Sequence, residues 1–108
     1  MDNLRSADFI YLARIVQRTP SEEELGAVVT YEPFAIVAGS ERLPDSWSTT
    51  RVCERTGDTA DVGEVWVFLI DTERSADRGI IGSYWVREIY VPSLRRKVSQ
   101  AMREARNR

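Results

Sequence analysis

Histidine is absent from this 108-residue chain, and cysteine occurs once, as Cys53. Without an imidazole, neither a Ser-His nor a Cys-His nucleophile pair can form, and one thiol cannot complete a thiolate zinc site. A single cysteine also excludes a disulfide within the chain. These absences predict a protein that is not an enzyme and has no metal or cofactor.

Long apolar runs and lysine are also scarce. No apolar segment approaches the ~18–20 residues of a membrane span, and the first residues lack the basic and apolar regions of a secretory signal. With the missing disulfide, this predicts a cytoplasmic protein without a membrane role. Arginine outnumbers lysine fourteen to one, which is typical of GC-rich genomes and suggests a bacterial or phage source.

The residues that are present fit a soluble globular domain. The chain is 43% hydrophobic and 30% charged, and its length predicts one domain over residues 1–108. The charge is unevenly divided: residues 1–91 carry sixteen acids and nine bases, or −7, whereas residues 92–108 carry one acid and six bases, or +5. This asymmetry predicts a charged surface on the last element and would also allow two copies to pair as a homodimer.

Two apolar segments predict the centre of a sheet. Val65–Ile70 is a continuous run of β-branched and aromatic residues, which predicts a central strand covered on both faces. A second strand is predicted over Ile80–Val91. The connection Asp71–Gly79 is too short for a parallel crossover, so the pair should be antiparallel, with a polar loop at its tip.

Three helices are predicted. Ala7–Arg18 has Ser6 as a potential N-cap and an apolar stripe, and Ser21–Glu24 matches a capping box before a short helix that ends at Gly26 or continues to about Val29. The last helix starts at Pro92. Its apolar face comprises Leu94, Val98, Ala101, Met102 and Ala105.

The remaining segments predict further strands. Pro33 interrupts Ala27–Ala38, which indicates an edge or a bulge, as two short strands or one broken edge strand. Gly39–Ser46 is turn-like, and Trp47–Arg55 has strand character, giving a meander of three or four strands up to Val65–Ile70. We therefore expect a small α+β domain in which a three- to five-stranded antiparallel sheet packs N-terminal and C-terminal helices on one face.

Binding residues are predicted on the second hairpin strand and the last helix. Tyr, Trp and Arg are enriched at interaction hot spots. If Ile81, Trp85 and Ile89 face the core, then Tyr84, Val86, Glu88 and Tyr90 face away, towards a partner or towards the protein's own helices. The residues predicted to bind a partner are Tyr84, Trp85, Arg87, Tyr90, Arg95, Arg96 and Arg103.

The basic helix permits three interpretations. Arg95, Arg96, Lys97 and Arg103 can be a solvated face favoured by the helix dipole, a contact for an acidic protein, or a nucleic-acid surface. The net charge of −7 on the rest of the chain opposes phosphate binding.

Other polar groups are predicted to be structural. Asp58, Asp61 and Glu64 do not match the spacing of a calcium loop, and a plain hairpin loop is expected there. Cys53 is expected to be a buried apolar residue.

The segment Glu88-Ile89-Tyr90-Val91-Pro92, followed by Leu94-Arg95-Arg96-Lys97, resembles the strand, basic turn and helix with which GCN5-related acetyltransferases hold the coenzyme A pyrophosphate. The family places small glycines where this chain has Val98 and Gln100, so no catalytic residue is assigned.

These observations predict a small non-enzymatic protein that binds another protein, as an inhibitor, adaptor or regulatory subunit. A nucleic-acid-binding regulator that uses the basic helix is the alternative, and a degenerate acetyltransferase-like domain is the third.

Overall fold

The computed structural model describes residues 6–20, 26–39, 42–44, 47–53, 61–74, 76–89 and 91–107. Its elements are β1 (Phe9–Pro20), β2 (Gly26–Ala38), β3 (Ser48–Cys53), β4 (Val65–Ile70), β5 (Ile80–Trp85) and α1 (Pro92–Arg106), with 3₁₀ turns over Ala76–Gly79 and Val86–Glu88. All pairings are antiparallel, in the order β3-β2-β1-β4-β5. The predicted antiparallel sheet and C-terminal helix are therefore confirmed. None of the helices in these ranges is long and apolar enough to cross a membrane.

Residues Phe9–Pro20 form a strand, so the predicted N-terminal helix over Ala7–Arg18 is wrong. Strand β1 lies in the middle of the sheet, between β2 and β4. Alternate residues such as Phe9 and Tyr11 enter one core cluster, whereas Ile10 and Leu12 enter the other. A helix would bury one stripe only, while a middle strand buries both sets.

Strand β2 also differs from its prediction. Residues 26–29 are strand, which overturns a helix continuing to Val29, and the capping box at 21–24 lies outside the described residues. The predicted bulge at Pro33 is confirmed, because Pro33 faces Ala13 next to an irregularity in register. The predicted edge position is wrong for the whole strand, since β3 pairs with residues 26–31. Pro33 lies beyond that pairing, where its missing N–H removes no bond to β3.

The predicted hairpin is confirmed, with two corrections. Strand β4 has the predicted bounds and is buried on both faces, but it is second from the edge of the sheet. Strand β5 ends at Trp85, and a 3₁₀ turn follows where Ile80–Val91 was expected to continue. Strand β4 pairs with β1 and not with β3, so the predicted continuous meander is also wrong.

The sheet has two different apolar faces. The helix-covered face packs against Leu94, Val98 and Ala101 of α1, as predicted, and its strand and turn residues are Ile10, Leu12, Ala35, Val67, Leu69 and Ile89. The other face, which we call the aromatic face, comprises Phe9, Tyr11, Ala13, Ile15, Ala27, Val29, Tyr31, Trp66, Phe68 and Ile70.

The sheet curls around its aromatic face. Pairing between β1 and β2 changes register at three places, and such bulges bend strands and increase their twist. Nη1 of Arg78, just before β5, donates a hydrogen bond of 2.5 Å to Oγ of Ser48, the first residue of β3. Strands β3 and β5 are the two edges of the sheet. This side-chain bond therefore links the segment before one edge strand to the first residue of the other edge strand.

Candidate functional site

A pocket opens on the aromatic face of the sheet, at the end where β1 begins and β4 ends. Its cavity measures about 230 Å³. We call it the mouth pocket. It is lined by Phe9, Tyr11, Tyr31, Arg42, Pro44, Ile70, Thr72 and Arg78. Aromatic and aliphatic groups thus come from the strands, whereas the cationic groups come from the connections on either side.

Two buried tyrosines line the pocket. Tyr11 is 3% exposed and Tyr31 is 1% exposed. Burial raises the pKa of Tyr11 far above its ordinary value of 10, and a side-chain hydrogen bond with Tyr31 raises it further, while the charge of Arg78 partly opposes the shift. The Tyr11 hydroxyl is therefore protonated at neutral pH. Stacking against Phe68, with ring centroids 5.6 Å from Tyr11 and 4.6 Å from Tyr31, holds both rings.

Arg78 combines an unusual backbone with a charged side chain. Its φ of 59° lies in the left-handed region, where residues with a Cβ are disfavoured. Gly79 follows with φ 78°, and a Cβ there would lie 2.5 Å from the backbone oxygen of Asp71, so glycine is required. Arg78 is exposed at the rim of the mouth pocket. The Asp71–Gly79 turn thus places one guanidinium beside the pocket and against Ser48.

Asp8 fixes the same turn from the other side. The Thr72 N–H donates to Oδ1 of Asp8 over 2.9 Å, and the Thr72 hydroxyl donates to Oδ2 over 2.5 Å. The hydroxyl bond, followed by the backbone bond, holds the pKa of Asp8 below its ordinary value of 3.8. Both carboxylate oxygens of Asp8 are therefore engaged by Thr72.

The predicted binding residues of β5 divide between the two faces. Tyr84 packs against the helix-covered cluster, together with Ile81 and Val86, whereas Trp85 packs against the aromatic cluster. The expected arrangement, with Ile81 and Trp85 on one side, is therefore wrong, because β5 pairs irregularly between Leu69 and Ile70. Tyr84 matches the alternative of burial beneath the protein's own helix.

Trp85 and Arg87 form a stacked pair. The guanidinium carbon of Arg87 lies 5.3 Å from the centroid of the Trp85 ring, which is within cation–π distance. Trp85 is half-buried and Arg87 is exposed. Tyr90, predicted to belong to the same surface, lies outside the described residues.

The predicted basic surface lies on α1. The side chains of Arg95, Arg96, Lys97 and Arg103 are all exposed, on the turns between the buried Leu94, Val98 and Ala101. Near the end of the helix, a cavity of about 380 Å³ is lined by Arg14, Phe34, Val65, Met102, Ala105 and Arg106. The guanidinium carbon of Arg14 lies 4.9 Å from the centroid of the Phe34 ring.

The remaining candidate residues have local roles where they are described. The N–H of Asp61 donates to Oε1 of Glu64 over 2.7 Å, which is a turn contact, and Asp58 lies outside the described residues. Cys53 ends β3, and its side chain is outside the described set. No group of three possible metal ligands occurs in the described parts of the chain.

Comparisons of the chain with family models, with curated proteins and with solved structures gave no match. The local geometry also departs from the acetyltransferase resemblance. Residues 86–88 form a 3₁₀ turn where that motif requires a strand. Coenzyme A binding therefore has no support from the fold of this segment.

The mouth pocket was not predicted from the sequence. One of its tyrosines, Tyr11, lies on β1, which was predicted to be a helix, and the other, Tyr31, lies on β2. The alternation of Phe9, Tyr11, Ala13 and Ile15 on one face was the available signal. The polar segment Asp71–Gly79 was correctly singled out as a loop, and it contributes Thr72 and Arg78 to the pocket.

Proposed function

We propose that this chain is a non-enzymatic binding protein whose partner is another protein, as an inhibitor, adaptor or regulatory subunit. The stacked pair of Trp85 and Arg87 is the observation that carries the proposal. Tryptophan and arginine are the residue types most enriched at interaction hot spots. A cytoplasmic location and a bacterial or phage origin belong to the same proposal.

The pair is suited to act as an anchor because its geometry is fixed before binding. Trp85 lies opposite Trp66 in the β4–β5 ladder and packs on the aromatic cluster. Stacking on Trp85 restricts the long Arg87 side chain, so less conformational entropy remains to be lost on association. Strand β5 is also an edge of the sheet, where an extended segment of a partner can add by main-chain hydrogen bonds.

Exposed cations on α1 support a second candidate, a nucleic-acid-binding regulator. Arg95, Arg96, Lys97 and Arg103 follow one another along a single helix. Neutralising about four phosphates would make log K fall against log salt with a slope of roughly −3 to −4. A protein contact centred on Trp85 should depend far less on salt.

Affinity capture from a bacterial lysate, with nuclease treatment and a salt series, distinguishes the two candidates. We expect a stoichiometric protein that survives both treatments and is lost with Arg87→Ala and Trp85→Ala. Trp47→Ala is the matched control, because Trp47 is 62% exposed and immediately precedes β3, which is at the other end of the strand order from β5. Arg87 is exposed, so its variant tests binding without disturbing the core.

Three results would contradict the proposal. Capture of only nuclease-sensitive, salt-labile material that is lost with Arg95→Gln and Arg96→Gln would favour nucleic acid. Equal capture by the parent and the Arg87→Ala protein would show that Arg87 does not anchor the partner. A rise of several degrees in melting temperature with coenzyme A would favour the acetyltransferase-like alternative, because a ligand that binds the folded state must stabilise that state.

A further inference from the structure

The mouth pocket has chemistry that the proposed protein contact at Trp85 does not use. Among the described residues, its lining includes two guanidinium groups, those of Arg42 and Arg78, and no carboxylate. Aromatic and aliphatic groups form the walls. Of the described acids beside the pocket, Asp8 accepts hydrogen bonds from Thr72 and Asp71 accepts one from the Glu73 N–H. The described lining therefore combines two cationic groups with aromatic and aliphatic walls and the hydroxyls of Tyr11 and Tyr31.

Arg78 retains hydrogen-bonding capacity in this position. A guanidinium has five N–H donors in a planar fork, and the bond to Ser48 uses one of them. Among the described residues, no carboxylate pairs with Arg78. The fork matches a carboxylate in a two-bond geometry, which is the strongest pairing available to arginine.

The backbone of Arg78 gives an independent indication. Asparagine or glycine is tolerated at a φ near 59° with less strain than arginine. Strained residues of this kind concentrate at ligand sites and switch regions. The contact with Ser48 accounts for one nitrogen, and the strain is more fully explained if the guanidinium also meets a ligand.

The size of the cavity limits the ligand. At about 230 Å³ it is smaller than the ~300–1,000 Å³ of pockets for drug-sized molecules, so it has room for one ring and one acidic group. We propose that the mouth pocket binds a small aromatic carboxylic acid, with the carboxylate on Arg78 and the ring against Ile70 and Pro44. This assignment is independent of the protein contact at Trp85 and Arg87.

Thermal denaturation with benzoate tests the assignment. We expect benzoate to raise the melting temperature of the parent protein by several degrees once its concentration exceeds the Kd about tenfold. Benzamide, the neutral isostere, and sodium chloride at equal ionic strength should not. Arg78→Asn should abolish the shift, because asparagine accepts the same backbone geometry but has no cation. Ser48→Ala should keep it, since Ser48 does not line the pocket.

Several outcomes would overturn the proposal. Equal shifts with benzoate and benzamide would show that no anion is recognised, and an unchanged benzoate shift in the Arg78→Asn protein would exclude Arg78. A larger rise in melting temperature with inorganic phosphate than with benzoate would show that the pocket recognises a phosphate and not a carboxylate. Should Arg78→Asn fail to fold, benzoate titration of the parent by NMR decides, because unperturbed ring signals of Tyr11 and Tyr31 would exclude the pocket.

Discussion

The two faces of the sheet reach similar burial by different means. The helix-covered face is built from aliphatic side chains, and Leu94 and Val98 of α1 complete it. The aromatic face buries Tyr31 and Phe68 almost completely, with their rings in mutual contact and Leu43 packed against the cluster. The difference shows that large rings on one face can bury one another, whereas the smaller aliphatic groups of the other face pack against a helix as a second layer.

The faces also differ in polarity. The aromatic face includes the hydroxyls of Tyr11 and Tyr31, and the indole N–H of Trp66 has no hydrogen-bond partner in the described structure. The buried members of the helix-covered face are all apolar. Buried polar groups normally have hydrogen-bond partners, and the mouth pocket opens on the face that contains these hydroxyls.

The largest expected effect is on the aromatic face. Phe68→Ala should lower the free energy of unfolding by about 3–5 kcal/mol, because Phe68 is fully buried and contacts the rings of both Tyr11 and Tyr31. Urea denaturation followed by circular dichroism would measure the loss. A loss below about 1 kcal/mol would mean that the aromatic face is not a packed interior.

A smaller effect is expected where α1 covers the other face. Leu94→Ala and Val98→Ala should each cost about 1–4 kcal/mol, since both side chains are 2% exposed against the sheet. The exposed Arg96→Ala on the same helix is the control and should be nearly neutral. Leu94→Ala and Val98→Ala proteins as stable as the parent would show that the helix does not seal this face.

The smallest effect concerns one hydroxyl. Tyr11→Phe should cost about 1–3 kcal/mol at neutral pH by leaving the buried Tyr31 hydroxyl without its partner. The folded-state pKa of Tyr11 is raised, so its contribution is fully present below about pH 10, the unfolded value, and declines at higher pH. Denaturation at pH 9 and pH 11 should therefore show a steeper decline in the parent than in Tyr11→Phe. Equal slopes would exclude a buried tyrosine here.

Elements whose apolar residues fit only a strand or only a helix were predictable from the sequence. The run Val65–Ile70 has no polar face, and the stripe of α1 fits only a helix, so both were placed correctly. The prediction for β1 was wrong because the strand is apolar on both faces up to Ala13, and such a run also contains a helical stripe by coincidence. Pairing with β2 and β4 decides between strand and helix for this segment, and those partners are distant in the sequence.

One of the two candidate sites was predictable from the sequence and the other was not. Trp85 and Arg87 could be singled out by residue type, and they do contact each other. The mouth pocket could not, because Tyr11, Tyr31 and Arg78 come together only through the strand order and the curl of the sheet.

The position of β1 in the middle of the sheet also determines how the chain must acquire its structure. During synthesis β1 emerges before the other described strands and can pair with β2 soon afterwards, but Phe9 finds its other partner, Ile70, only when β4 has been made. The covering helix emerges last of all the described elements. Such distant pairing is typical of domains that fold in milliseconds to seconds. Until then the apolar edge of β1 is open to other chains, so the nascent protein is more prone to aggregate than the finished one.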